Sequence, residues 1–255
     1  MRAIIVAGLL LAASVAGAQQ EPAENSPYLF VIDARVDAEV ARLWSTALGK
    51  TAEAHALHES GNTWATFKKM TGGPEAEFRF VFPMQRLGDL DAWKSNRKIV
   101  TEALGNDLGR QVLRQLETGS ASTDRILALS PELSRPEPDR VARYLWTIRV
   151  KVDGGKKVEY AALMRRVKQA HDRHERGMHW LVYGNAVGGD PDEVLWVMPF
   201  EKFAEIDGWA LDDEVLRKVY GDDEANRLID ALNAISTTTE RVWRLMPGLS
   251  RLPEH

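Results

Sequence analysis

From residue 28 to 36 the side chains alternate, with Tyr28, Phe30, Ile32, Ala34 and Val36 on one face and Leu29, Val31, Asp33 and Arg35 on the other. That is the two-residue period of a half-buried β-strand. A helical period follows. Trp44, Leu48, Thr51, His55 and His58 fall on one side of a helix, with Asp37 as its expected N-cap and Gly61 as a left-handed C-cap. Thr63 to Lys69 and Glu77 to Phe82 read as two short strands joined through Gly72-Gly73 into a hairpin, which Pro83 is expected to close. A helical region starts around Asp89 to Trp93, where Asp91 is expected to cap the first turn. It breaks at Gly105 and restarts behind Asn106-Asp107, and a last strand spans Ser122 to Leu129.

The pattern then repeats at an offset of 116 residues. Ala54-His55-x-x-His58-Glu59-x-Gly61-x-x-Trp64 returns as Ala170-His171-x-x-His174-Glu175-x-Gly177-x-x-Trp180, and Pro131-x-Leu133-Ser134-Arg135 as Pro247-x-Leu249-Ser250-Arg251. Tyr28-Leu29, Gly72-Gly73, Pro83 and Asp91-x-Trp93 also have counterparts at that offset. About a quarter of the paired positions are identical, so what both copies keep marks a constraint visible in a single sequence. In the second copy Tyr144 to Val152 is the first strand, and Tyr160, Met164, Val167, His171 and His174 form the helical stripe behind Asp153. The later strands are His179 to Asn185, Glu193 to Met198 and Thr238 to Leu245.

Each copy is therefore β-α-β-β-α-β, the ferredoxin-like unit: a four-stranded antiparallel sheet covered by helices on one face only. The bare faces have to be covered, and packing the two sheets against each other does so. The expected organisation is a signal peptide over residues 1–18, a flexible leader over 19–27, a first α+β repeat over 28–134, a proline-bearing charged linker over 135–143, a second repeat over 144–250 and a short tail over 251–255.

Composition narrows the partners. The 255-residue chain is 44% hydrophobic and 27% charged with a net charge of -4, a balance that offers nothing to nucleic acid or to anionic lipid. The N-terminus differs in kind: Met1-Arg2 is followed by an apolar run from Ala3 to Val15 and by Ala16-Gly17-Ala18, the three parts of a secretory signal. The run is shorter than the ~20 apolar residues a spanning helix needs. The expectation is an exported protein, periplasmic or extracellular, with no membrane contact after cleavage, acting as a monomeric pseudo-dimer or a higher homo-oligomer. There is no cysteine, which excludes disulfides, thiolate zinc sites and thiol catalysis together.

In element order over residues 28 to 250, and in its tandem layout, the chain resembles the dimeric α+β barrel superfamily, with two fused halves imitating two subunits. The resemblance implies an α+β fold, two tandem ferredoxin-like units forming a pseudo-dimeric barrel. That superfamily includes antibiotic-biosynthesis-type monooxygenases, NIPSNAP-like and EthD-like proteins and haem-dependent chlorite dismutases. It implies a pocket for a small molecule, and because its members do unlike chemistry it implies no particular reaction.

Two sets of residues are candidates for ligand contact. His55 with His58, and His171 with His174, sit three apart on one side of a helix. Each pair can touch a ligand or plug the C-terminal end of its helix, but two imidazoles do not complete a metal site. No metal or cofactor is assigned. The second set lies on the inward face of the sheet, where Asp33 in one copy becomes Arg149 in the other and Arg79 becomes Leu195. Charges where aliphatic packing is expected point to pairing or to one asymmetric pocket for an anionic or carbonyl-bearing ligand. Three readings of function stay open: an exported small-molecule binder, a monooxygenase-like or haem-dependent oxidoreductase, and a non-catalytic structural protein.

Overall fold

The structure is a computed structural model that describes residues 27–58, 62–71, 76–136, 142–174, 178–209 and 212–252. The expected signal peptide, nearly all of the leader, Gly61, Gly177, the Gly72-Gly73 turn and the middle of the linker lie outside the described residues. Eight strands form one closed barrel: β1 (Tyr28–Val36), β2 (Ala65–Lys69), β3 (Ala76–Met84), β4 (Ser120–Leu129), β5 (Tyr144–Val152), β6 (Leu181–Val187), β7 (Glu193–Phe200) and β8 (Ser236–Leu245). Around it the order is β1-β3-β2-β8-β5-β7-β6-β4. Each half is the four-stranded ferredoxin-like sheet, and the halves join edge to edge through β2 with β8 and β4 with β6. Closure leaves no open sheet edge, and it covers the inner face of both sheets at once.

Helices lie on the outer face: α1 (Ala41–Leu57), α2 (Asn96–Leu104) and α3 (Asn106–Glu117) in the first half, α4 (Lys157–Asp172), α5 (Asp212–Tyr220) and α6 (Asp222–Ile235) in the second. α1 buries Trp44, Leu48, Thr51 and His55, and α4 buries Tyr160, Met164, Val167 and His171, which are the stripes read from the sequence. The helix starts differ from expectation. α1 begins at Ala41 behind Val40, while the Asp37 amide donates to the Gly119 carbonyl, so Asp37 anchors a preceding turn rather than capping the helix. Lys156 occupies the same place before α4, after a turn from Asp153. The helices also stop earlier, at His58 and Arg173 in right-handed conformation. Before α2 the helical region is a 3₁₀ turn over Leu87–Ala92, and the Gln85 and Arg86 amides leading into it donate to the Asp89 carboxylate rather than to Asp91. Gly105 and Gly221 take φ of 79° and 81° and separate the paired helices of each half, a conformation that suits glycine.

Pro83 and Pro199 do not end their strands; β3 runs on to Met84 and β7 to Phe200. Pairing of β2 with β3 stops at Ala65↔Val81. Pro83 thus lies past its neighbour's end, where a missing donor is tolerated.

The kept Pro-x-Leu-Ser-Arg motif is an exchanged arm. Leu133 packs in the second half's core, Trp180 donates its indole N–H to the Leu133 carbonyl at 2.7 Å, and the Val182 amide donates to Ser134 Oγ at 2.9 Å. Arg135 bridges Trp180 through both backbone groups. The second copy reciprocates on the first half: Trp64 donates to the Leu249 carbonyl at 3.1 Å, the Thr66 amide to Ser250 Oγ at 2.8 Å, and Arg251 bridges Trp64. Two tryptophans and two serines are kept because each half fastens the tail of the other.

Candidate functional site

Each half leaves a cleft on its outer face, between sheet and helices, and the two clefts are unequal. The first holds about 420 Å³ and runs from Trp44 and Leu48 past Phe80 and Phe82 to His55, Trp64 and Trp93, with Lys94 and Asn96 at its exposed rim. The second holds about 260 Å³ and is bounded by Tyr160, Met164 and Trp196. The linings differ at several repeat positions, among them Trp44 against Tyr160, Phe82 against Met198 and Phe80 against Trp196. The Trp196 ring stacks on Trp180 at 5.5 Å and its N–H donates to the Tyr160 hydroxyl at 3.0 Å. It thereby fills the space that in the first half connects Trp44 to His55.

His55 and His171 are buried alike, each edge-on to its repeat's tryptophan at 5.0 Å, on Trp64 and Trp180 respectively. Only His55 lines a cleft of the two just described. Its Nε2–H donates to Asn96 Oδ1 at 2.9 Å. Burial, only partly offset by the Asn96 hydrogen bond, holds its pKa below the ordinary histidine value, and the Arg251 charge pushes the same way. The imidazole is therefore neutral at pH 7. The second histidine of each pair goes elsewhere: His58 Nε2 meets Glu102 at 2.8 Å and His174 Nε2 meets Lys218 Nζ at 3.4 Å, both on the outer surface. The structure thus separates the members of each pair instead of aiming them at one ligand. Among the described residues no group of three or more histidine, aspartate or glutamate side chains is arranged to hold a metal.

The inward charges converge inside the barrel. One end of the interior is apolar, built on Leu29, Val31, Phe67, Leu145, Tyr183 and Val197 among others. The other end is ionic. Asp33 lies opposite Arg79 across the β1–β3 ladder and accepts from its Nε at 2.6 Å and its Nη2 at 3.0 Å, and from Arg125 Nη2 at 3.2 Å. Arg149 is the more distant partner, at 3.9 Å. Burial alone would raise the Asp33 carboxyl, but the Arg79 charge and hydrogen bonds, with Arg125 and Arg149 behind, hold it below the ordinary carboxylate range. The register also accounts for the change of Arg79 into Leu195. Leu195 lies opposite Arg149, where a second guanidinium would face a like charge.

Two further bonds cross between the halves and obey the pseudo-two-fold: Arg125 to Glu193 and Arg241 to Glu77, each at 2.6 Å, with Lys69 also on Glu77. Arg125 and Arg241 escaped the sequence reading, as did Asn96. For the arginines a signal was present, because Arg125 repeats as Arg241 at the same offset as Glu77 and Glu193. Asn96 had none, since its counterpart is Asp212.

The closed barrel with helices outside is the dimeric α+β barrel fold in fused form. No protein-family model matches the sequence, and no curated protein matches it. Solved structures match along nearly the whole chain. A mutant chlorite dismutase from Candidatus Nitrospira defluvii, in complex with cyanide, aligns with a TM-score of 0.50 at 16% identity, over 89% of this chain and 93% of its own. A candidate monooxygenase from Lactobacillus acidophilus NCFM aligns with a TM-score of 0.48 at 10% identity, over 89% and 100%. A haem-binding protein from Thermus thermophilus aligns with a TM-score of 0.46 at 11% identity, over 87% and 92%. At these identities the likeness is one of fold.

Proposed function

We propose that this protein binds a small, flat, largely apolar molecule in the first-half cleft, and that it does so outside the cytoplasm. The observation that carries the reading is the cleft: about 420 Å³ walled by Trp44, Trp64, Trp93, Phe30 and Phe82, with His55 and Asn96 as the polar groups on one side. Binding pockets have this make-up, an aromatic wall with a few placed polar groups. The neutral His55 makes a charged ligand group at that point unfavourable and a hydroxyl or carbonyl favourable. Export rests on the residue pattern from Met1 to Ala18.

A monooxygenase-like reaction is the second reading, favoured by His55 itself: an unprotonated imidazole on the cleft wall is a base suited to a phenolic or enolic proton. The haem alternative fits less well. An imidazole whose Nε2 carries its proton toward Asn96 offers no lone pair there to an iron, and ligation would first have to break that bond.

The test is to titrate 1-naphthol and anthracene-type phenols against tryptophan fluorescence and melting temperature in the wild type and in Phe80→Trp, which copies the second half's closure. Saturable quenching with a rise in Tm, lost in Phe80→Trp, is expected. Equal binding by both proteins would dismiss the cleft. An absorption spectrum with a Soret band in the purified protein would replace the reading by the haem one. N-terminal sequencing of the exported protein is expected to begin at Gln19.

A further inference from the structure

The ionic end of the barrel interior opens into a second cavity, remote in character from the aromatic cleft. It holds about 330 Å³ and is lined by Asp33, Arg35, Glu77, Thr123, Arg149 and Trp243, among others, with Arg241 beside them. Its charges do not balance. Lys69, Arg79, Arg125, Arg149 and Arg241 face Asp33, Glu77 and Glu193, an excess of two positive charges before Arg35 at the mouth is counted. The three carboxylates are used up by their short bonds to Arg79, Arg125, Arg241 and Lys69.

Arg149 is what remains. It lines this cavity and the small recess beside it, makes no hydrogen bond among the described residues, and approaches Asp33 and Glu193 only at 3.9 and 3.4 Å. Arg35 is exposed at the mouth and has no ion pair among the described residues, whereas its repeat counterpart Lys151 is neutralised by Asp190. The lining also includes Trp243, whose ring is backed by the Arg79 guanidinium at 4.4 Å and whose N–H is fixed on Thr147 at 2.9 Å. A guanidinium held only by these longer ion pairs and making no hydrogen bond, in a partly desolvated recess, matches an oxyanion in geometry and charge. The volume leaves room for more than a bare inorganic ion.

The structure assigns the barrel mouth as a binding site for a small organic oxyanion, a carboxylate or phosphate ester, clasped by Arg149 with Arg35 at its rim and its organic body in the remaining volume of the cavity. Divergence after duplication created it. An exact two-fold would place aspartate or arginine at both 33 and 149, and one of each is what leaves Arg149 with only its longer ion pairs to carboxylates already bonded elsewhere.

The site is tested by calorimetric titration of benzoate, phenyl phosphate and inorganic phosphate, each against chloride at matched ionic strength. The Phe80→Trp background closes the outer cleft, so failure there and failure here stay separate. One-to-one binding of benzoate, phenyl phosphate or both is expected, and which of them binds identifies the anion. Arg149→Met is expected to weaken it at least about tenfold, Arg149→Lys less, since charge without the fork keeps only part of the contact. Arg35→Gln, at an exposed position, is the variant certain to leave the interior undisturbed, and severalfold weakening is expected. The assignment is overturned if none of the three anions binds, if inorganic phosphate binds as tightly as the organic probes, or if neither arginine variant changes the titration.

Discussion

The two outer clefts started as copies, and one substitution shows how they parted. In the second half Trp196 bridges Trp180 and Tyr160 and the cleft stops short of His171. In the first half Phe80 leaves that space open, and the cleft reaches His55 and the rim at Asn96. The histidine and its tryptophan are packed in the same edge-on way in both halves. The structural task is thus duplicated, while of these two clefts only the first reaches an imidazole. A residue kept in both copies need not be functional in both, and a binding site can be gained or lost by what fills the space beside it.

The comparison breaks most completely if the halves are separated. Residues 27–136 alone would expose the inner apolar face, the edges of β2 and β4, and a Trp64 without its Leu249–Arg251 arm. This fragment is expected to dimerise or aggregate in light scattering, and a cooperative monomer would refute the interlocked barrel. Next in size is the interior ion cluster, which exists only because the halves differ. Arg79→Met removes two of the three hydrogen bonds to the half-buried Asp33, leaving it Arg125 and the more distant Arg149, and is expected to cost about 3 kcal/mol in urea unfolding. Asp33→Leu added to it should recover much of that loss, since breaking a buried pair costs more than removing it. Arg149→Met, at a residue with no hydrogen bond, should by contrast be nearly silent in stability.

The arms sharpen where the halves are alike and where they are not. Trp180→Phe leaves the Leu133 carbonyl without its indole donor and is expected to cost about 1–3 kcal/mol. After Trp64→Phe the Leu249 carbonyl keeps the Thr66 hydroxyl at 2.7 Å, a donor whose repeat counterpart is Val182, and the loss should be smaller. Equal losses in urea unfolding would show that the Thr66 hydroxyl does not substitute for the indole. The smallest effect is on pH. The folded-state pKa of His55 is depressed, so the unfolded chain binds its proton first. The stability this group contributes is complete above about pH 6.5 and is lost as pH falls through the folded value. His55→Gln is expected to flatten the pH dependence between 7.5 and 5.5 in urea melts. An unchanged slope would assign it to other groups.

Most of the fold was legible because it rests on local periods. Two-residue alternation marked the strands, i, i+3/i+4 stripes marked α1 and α4, and an ungapped 116-residue repeat fixed the unit and therefore the need for a second sheet. What misled was end chemistry. Asp37, Asp91 and Pro83 suit caps and stops by type, but whether a residue caps depends on the turn before it and on which neighbour strand has ended. The candidate site was legible in part: the inward charges Asp33, Arg79 and Arg149 could be read from alternation, and Arg125 with Arg241 could have been read from the repeat.

By itself, then, the sequence determined which side chains share a face, since a face is set by the backbone period within a single element. The tertiary structure decided the pairings. Asp33 has Arg79 as its main partner because the β1–β3 register sets them opposite each other, and Arg149 is left with longer ion pairs because Leu195 occupies the corresponding place. Of the two clefts described, the first reaches His55 beside Phe80, a ring from another strand, while the second, with Trp196 in that place, stops short of His171. Contacts between elements depend on register, closure and volume, and these are properties of the assembled barrel rather than of any stretch of chain.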